Sequence, residues 1–170
     1  FEINEAEFNR CLEEQKERSK KSSKLSSSVF SEEAVAFSVS PTQFLGYDKL
    51  TLEEAKILKI IKDGKIADSV SAGDICQIIL DKTTFYAESG GQASDQGQIS
   101  SGENVFLVED VRKNGKIYLH GGKVISGRFN ALETVKTETD TALRQAIARA
   151  HTATHILQSA LRHILGEQIQ

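Results

Sequence analysis

"VFLVEDVRKNGKIYLH", Val105 to His120, decides how the middle of this chain is read. Two runs rich in β-branched and aromatic residues, Val105–Arg112 and Lys116–His120, flank Asn114-Gly115. Asn-Gly between such runs is a strong hairpin signal, because both residues accept the positive φ of a tight turn. Upstream, Ile75–Leu80 is a β-rich run that holds Cys76. "EAKILKIIKDGK", residues 54–65, reads as an apolar strand closed by Asp63-Gly64, although Leu52–Ile61 also fits a helix. "TQFLGYDKL" carries a turn centred on Gly46, and "AVAFSVSP" is a candidate strand. Downstream, Val135–Thr139 ends the series. About six or seven short strands with turns at close intervals predict a small β-barrel or sandwich, placed over residues 35–137.

The flanks differ in period. Residues 1–24 contain neither proline nor glycine, and Phe1, Phe8 and Leu12 form a thin apolar stripe ahead of "EEQKERSKK". That pattern predicts a helix with a solvated far end, and its lysines read either as a wet face or as phosphate contacts. "SSKLSSS" then breaks the pattern, so residues 25–34 are expected to be a Ser-rich joint. From Thr139 onward Leu143, Ile147, Ala150, Thr154, Leu157, Leu161 and Ile164 alternate steps of four and three, which predicts a long helix with one apolar stripe. Thr139, Asp140 and Thr141 offer N-capping side chains, and Gly166 stops it. This helix is expected to open a second unit over residues 138–170, because its stripe needs a partner beyond the barrel. The fold class is therefore α+β: a leading helix, a barrel and a long trailing helix.

At 170 residues the chain is long enough for one domain or slightly more. A hydrophobic content of 39% and a charged content of 26% are those of a water-soluble globular protein. No apolar run approaches the roughly 18 residues of a membrane span, and no signal peptide is visible. Cys11 and Cys76 make no disulfide framework, and a cytoplasmic setting is expected. With a net charge of −3, nucleic acid would have to be met by a local patch rather than by a basic domain. The chain begins at Phe1 and has no closing element before Gln170, so a piece of a longer protein is expected.

"RAHTATHILQSALRHIL", Arg149 to Leu165, sets His151 and His155 one helical turn apart. At 100° per residue they lie about 40° and about 80° from Ile147, on one edge of the apolar stripe, half in and half out of water. Zinc takes nitrogen and sulfur ligands, and an i, i+4 histidine pair supplies two from one rigid element. The same spacing also arises among ordinary surface residues. The intervening Thr-Ala-Thr lacks the glutamate of H-E-x-x-H, which argues against a metalloprotease. Cys11, Cys76, His120 and His163 are the other candidate ligands, and none completes a shell convincingly; His163 falls off the shared edge.

The other unusual stretch is "TTFYAESGGQASDQGQI", Thr83 to Ile99. Phe85 and Tyr86 are expected to close a strand, Ser89–Gln92 to turn tightly, and Asp95 and Gly97 to make a second turn. Its glycines either connect two barrel strands or let the backbone approach another molecule closely. With no G-K-[ST] it is not a phosphate loop.

"FYAESGGQASDQGQI" followed by "HTATHILQSALRHILG" resembles the editing half of the alanyl-tRNA synthetase family, and "TQFLGYDKL…EAKILKI" resembles the stretch that opens its barrel. The resemblance runs from about Phe44 to Gly166, and residues 1–24 resemble the tail of the helical region before it. It implies a β-barrel leading into an α/β editing domain, of which residues 138–170 would be the start. It implies zinc ligation by His151 and His155, with a cysteine and a histidine from a later C-x-x-x-H motif that lies outside this chain. It implies that Thr154 lines the amino-acid pocket and that Gly90, Gly91 and Gln92 lie beside the editing cleft. It assigns no catalytic residue in this chain.

The family's parent reaction joins alanine to tRNA-Ala with ATP and magnesium, on a catalytic domain absent from this chain. A pocket sized for alanine rejects glycine by only about 1–3 kcal/mol, and serine nearly as poorly. A second site therefore hydrolyses Ser- or Gly-tRNA-Ala, and the acceptor end of tRNA is the implied partner. The piece alone is expected to be inactive. Two alternatives are a freestanding editing hydrolase and a non-catalytic barrel that docks tRNA or protein.

Overall fold

The computed structural model describes Arg10 and residues 39–166. The expected leading helix, the Ser-rich joint, Cys11 and most of "AVAFSVSP" lie outside these residues, apart from Arg10, which is helical.

The described strands are β1 (Gln43–Phe44), β2 (Thr51–Lys62), β3 (Lys65–Ala67), β4 (Ser69–Ser71), β5 (Ile75–Leu80), β6 (Lys82–Thr83), β7 (Gly97–Ser101), β8 (Asn104–Asn114), β9 (Ile117–Ser126), β10 (Arg128–Asn130) and β11 (Thr134–Thr139). The long helix α1 (Thr141–Leu165) follows. Six strands pair in the order β11-β7-β8-β9-β5-β2, and β2 pairs again with β11, which closes an antiparallel barrel. Closure removes the free edges of the ring. The short pairs β1–β6 and β4–β10 stand apart from the main sheet, and β3 adds to the end of β2. The expected α+β class, a barrel followed by a long helix, is what the chain adopts.

A bulge explains why the β2 sequence also fits a helix. On β2, Ile57 faces Leu80 but Lys59 faces Ile79, so Leu58 is the extra residue. The inward positions are accordingly Ala55, Ile57 and then Ile60, which breaks the period of two. On β8 the same happens between Val108 and Asp110 opposite Gly122 and Gly121, and the inward set runs Phe106, Val108, Val111. A bulge bends and twists its strand, as a small closed barrel requires. The interior is filled by these residues with Ile78, Leu80, Phe85, Ile99, Val124, Phe129 and Val135. A smaller cluster, Ile61, Ile79, Ile117 and Leu119, lies on the opposite face of β2, β5 and β9, with Leu58 and Val39 against it.

The Val105–His120 hairpin forms, with its turn one residue further on than expected. Asn114 pairs with Ile117, so the two-residue loop is Gly115-Lys116 rather than Asn114-Gly115. Gly115 has φ +59°, and among the described residues only Asp63 and Leu132 are non-glycines with positive φ. Glycine first, with a negative φ after it, is the pattern of a II′ turn, whereas Asp63-Gly64, both positive, has that of I′. The second difference is Gly97, which starts β7 instead of making a turn. A third is that Phe85 and Tyr86 follow β6 rather than closing a strand of the ladder. Phe85 and Tyr86 belong to the segment 84–96, which joins β6 to β7 outside the main ladder.

Candidate functional site

The helix α1 starts where the barrel ends. The Asp140 side chain accepts from the Leu143 N–H at 2.9 Å, the expected N-cap. The Asp140 N–H donates to Gln96 O at 2.8 Å, which ties the cap to the segment before β7. At the far end the Gly166 N–H donates to Arg162 O at 3.0 Å and the chain leaves at φ +99°. No residue of α1 is buried. His151 and His155 are exposed rather than half-buried, so the helix edge they share has no covering element among the described residues.

The two imidazoles converge. Their Nε2 atoms lie 3.0 Å apart and their ring centroids 4.7 Å apart. Two zinc-bound nitrogens at 2.0–2.1 Å and a tetrahedral angle would sit about 3.3 Å apart. The pair therefore presents the same nitrogen of each ring to a common point, at close to ligand spacing. Among the described residues no third His, Cys, Asp or Glu joins them. His120 is buried inside the barrel. Its Nδ1–H donates to Ile78 O at 2.9 Å and its Nε2 accepts from Thr83 Oγ1 at 2.8 Å, so neither nitrogen is free. Burial holds its pKa down at about 4, against a smaller opposing pull from the Ile78 carbonyl. Cys76 is buried too, and desolvation pushes its thiol up to about 12.

The glycine stretch meets the histidines. Ser89 and Gln92 exchange backbone hydrogen bonds at 3.0 and 3.3 Å around Gly90 and Gly91, whose φ values are +58° and +81°. Both central residues lie in the left-handed region, where glycine carries no steric penalty, and a Cβ on either would meet nothing within 4 Å. The open side of this turn faces α1. Gly90, Gly91, Gln92 and Ala93 form one lip of a cleft of about 450 Å³, and Ile147, Ala150, His151, Thr154 and His155 form the other. All six site residues read from the sequence thus line a single cleft, although the two motifs are separated by the whole of β7 to β11. The Thr154 hydroxyl donates to Ala150 O at 2.9 Å, which leaves its oxygen as an acceptor.

One pair at the site was missed in the sequence: Asp95, read only as a turn residue, and Arg144. The Asp95 carboxylate is buried and takes the Arg144 Nε–H at 2.7 and 2.9 Å on its two oxygens, with a further close ion pair from Nη2. It also accepts the Tyr86 N–H at 2.7 Å. The remaining guanidinium donors reach Gly46 O and Thr84 O, each at 2.9 Å. The signal that could have found it is an arginine in the first turn of α1, where the helix dipole disfavours a cation and a carboxylate would ordinarily stand.

The description "tRNA synthetases class II (A)" matches residues 1–143. The alanine–tRNA ligase of Nitrosospira multiformis is 39% identical over 169 residues, covering 99% of this chain and 19% of the relative. That of Psychrobacter sp. strain PRwf-1 is 37% identical over 168 residues, 98% of this chain and 18% of the relative. That of Dehalococcoides mccartyi is 47% identical over 131 residues, 76% of this chain and 15% of the relative. The chain spans about one-fifth of the length of the first two relatives. With most of its length inside the family match and full-length similarity to alanine–tRNA ligases, the chain belongs to the alanyl-tRNA synthetase family.

Proposed function

We propose that the cleft between residues 89–93 and α1 is part of a site that hydrolyses mischarged Ser- or Gly-tRNA-Ala, within a cytoplasmic protein that joins alanine to tRNA-Ala using ATP and magnesium. The observation that carries this reading is the convergence of the Gly90-Gly91-Gln92 turn with Thr154, His151 and His155 on one cleft.

The donor set fits zinc as half of a shell: two imidazole nitrogens at ligand spacing on one rigid helix, accessible to solvent. His151 and His155 would hold the ion, with the remaining ligands outside this chain. The chemistry it supplies when bound is Lewis-acid polarisation of an ester or its attacking water, or orientation of the substrate. The chain's own groups provide recognition. The Thr154 hydroxyl donates its one hydrogen bond to Ala150 O, so its oxygen is left to accept from a serine hydroxyl. Alanine and glycine bring no hydroxyl to that acceptor, so this contact favours serine alone. The bare turn at Gly90 and Gly91 leaves room for the ester to lie against backbone. Gln92 adds an amide able to donate and accept at the same lip.

The test is Ser-tRNA-Ala hydrolysis by the full-length protein and by residues 1–170. The reading predicts hydrolysis by the former that is lost on chelating zinc, and little or none by the latter. Full activity from residues 1–170, or a full-length protein indifferent to zinc removal, contradicts it. A barrel that only docks tRNA would bind tRNA without hydrolysing the ester in either form.

A further inference from the structure

We infer that Arg144 and Asp95 are positioning residues that set the separation of the two lips of the cleft. The inference rests on the hydrolytic reading above for its kinetic consequence, but its geometric consequence stands alone.

The helix α1 is about 37 Å long by its 25 residues, and nothing in it is buried. A rod held at one end is aimed by its joint. The joint here is the first two turns, where the Asp140 N–H meets Gln96 O and Arg144 makes its five bonds. Arg144 grips three separate pieces of chain: Gly46 in the turn after β1, Thr84 after β6, and Asp95. Asp95 lies three residues beyond Gln92, and both its side chain and its N–H bind the backbone of Tyr86, at 2.7 and 3.0 Å. The tight turn Ser89–Gln92 is thus strung between residues that this ion pair anchors. Arg144 lies seven and ten residues before His151 and Thr154 on the same rigid rod. One guanidinium therefore fixes both lips. A planar fork with fixed donors does this; a lysine keeps the charge but loses the angular constraint.

The experiment uses the full-length protein and its Arg144→Lys and Arg144→Ala variants. Nitroxides on ketone-bearing amino acids at Glu88 and Ala153 report the lip separation by pulsed electron resonance. Steady-state Ser-tRNA-Ala hydrolysis reports the chemistry. The wild type is expected to give one narrow distance. Arg144→Lys, which retains a charge opposite Asp95 and so remains folded, is expected to broaden it. Its kcat should fall about tenfold to a hundredfold, the scale of a misplacement near 1 Å, with KM within about twofold. Arg144→Ala should broaden the distance further. An unchanged distance in Arg144→Lys overturns the inference whatever the rate does, and so does a broadened distance with unchanged kcat. A wild type that hydrolyses no Ser-tRNA-Ala defeats the functional reading instead, and the distances then decide the positioning role alone.

Discussion

The barrel and the helix α1 both carry large apolar side chains, and leave them in opposite conditions. In the barrel, Phe85, Phe106, Phe129 and eight or more aliphatic side chains are fully enclosed. On α1, Ile156, Leu157, Ile164 and Leu165 are 59–76% exposed. A closed sheet supplies its own partner, because every inward side chain meets the far wall. A lone amphipathic helix does not, and its stability within this chain rests on its caps and on the Arg144 joint. The cleft lies where the self-sufficient part meets the dependent one.

The largest contrast should come from truncating one side chain in each region. Phe85→Ala leaves a cavity inside the barrel and is expected to cost about 3–5 kcal/mol, read from urea unfolding of residues 1–170. Leu157→Ala in the same chain is expected to change the transition by less than about 0.5 kcal/mol. Equal costs would break the comparison.

Next in size is the pH dependence of the barrel. His120 has its folded pKa depressed from 6.5 to about 4 by burial. Below 6.5 the unfolded chain takes a proton that the folded barrel refuses, so the stability contributed by the neutral ring is present above pH 6.5 and lost as pH falls toward 4. The loss is on the order of 3 kcal/mol. Unfolding free energies measured between pH 7 and 4 should decline, and His120→Gln should flatten that slope.

How far the residues announced this arrangement depends on how local each cause is. Asp63-Gly64, the run Ile75–Leu80 and the stripe from Leu143 to Ile164 carry their signals within a few positions, and each was readable. The strand read at Leu52–Ile61 forms as β2, but the helix alternative stayed open because the bulge at Leu58 breaks the period of two. The shift of the hairpin turn to Gly115-Lys116 is set by register with β9, which local propensity does not specify. Both cleft motifs were visible, since glycine pairs and an i, i+4 histidine pair are unusual compositions. Their meeting, and the Asp95–Arg144 joint, depend on how β7 to β11 return the chain, and the only local hint was a basic residue in the first turn of α1.

A smaller effect sharpens the picture of a helix held by its ends. Asp140→Ala removes the acceptor for the Leu143 N–H and should cost about 1 kcal/mol, seen as fraying of the first turn by amide exchange and little change in the barrel. Of similar size is Gly115→Ala, whose backbone strain at φ +59°, without any clash, should cost about 1–2 kcal/mol of barrel stability in a urea titration.

The most direct test of the account is zinc content and Ser-tRNA-Ala hydrolysis measured together on the full-length protein and its His151→Ala and His155→Ala variants. The account predicts one zinc per wild-type chain, weakened zinc binding in both variants, and a parallel loss of hydrolysis. Unaltered zinc content with unaltered hydrolysis in either variant would contradict it.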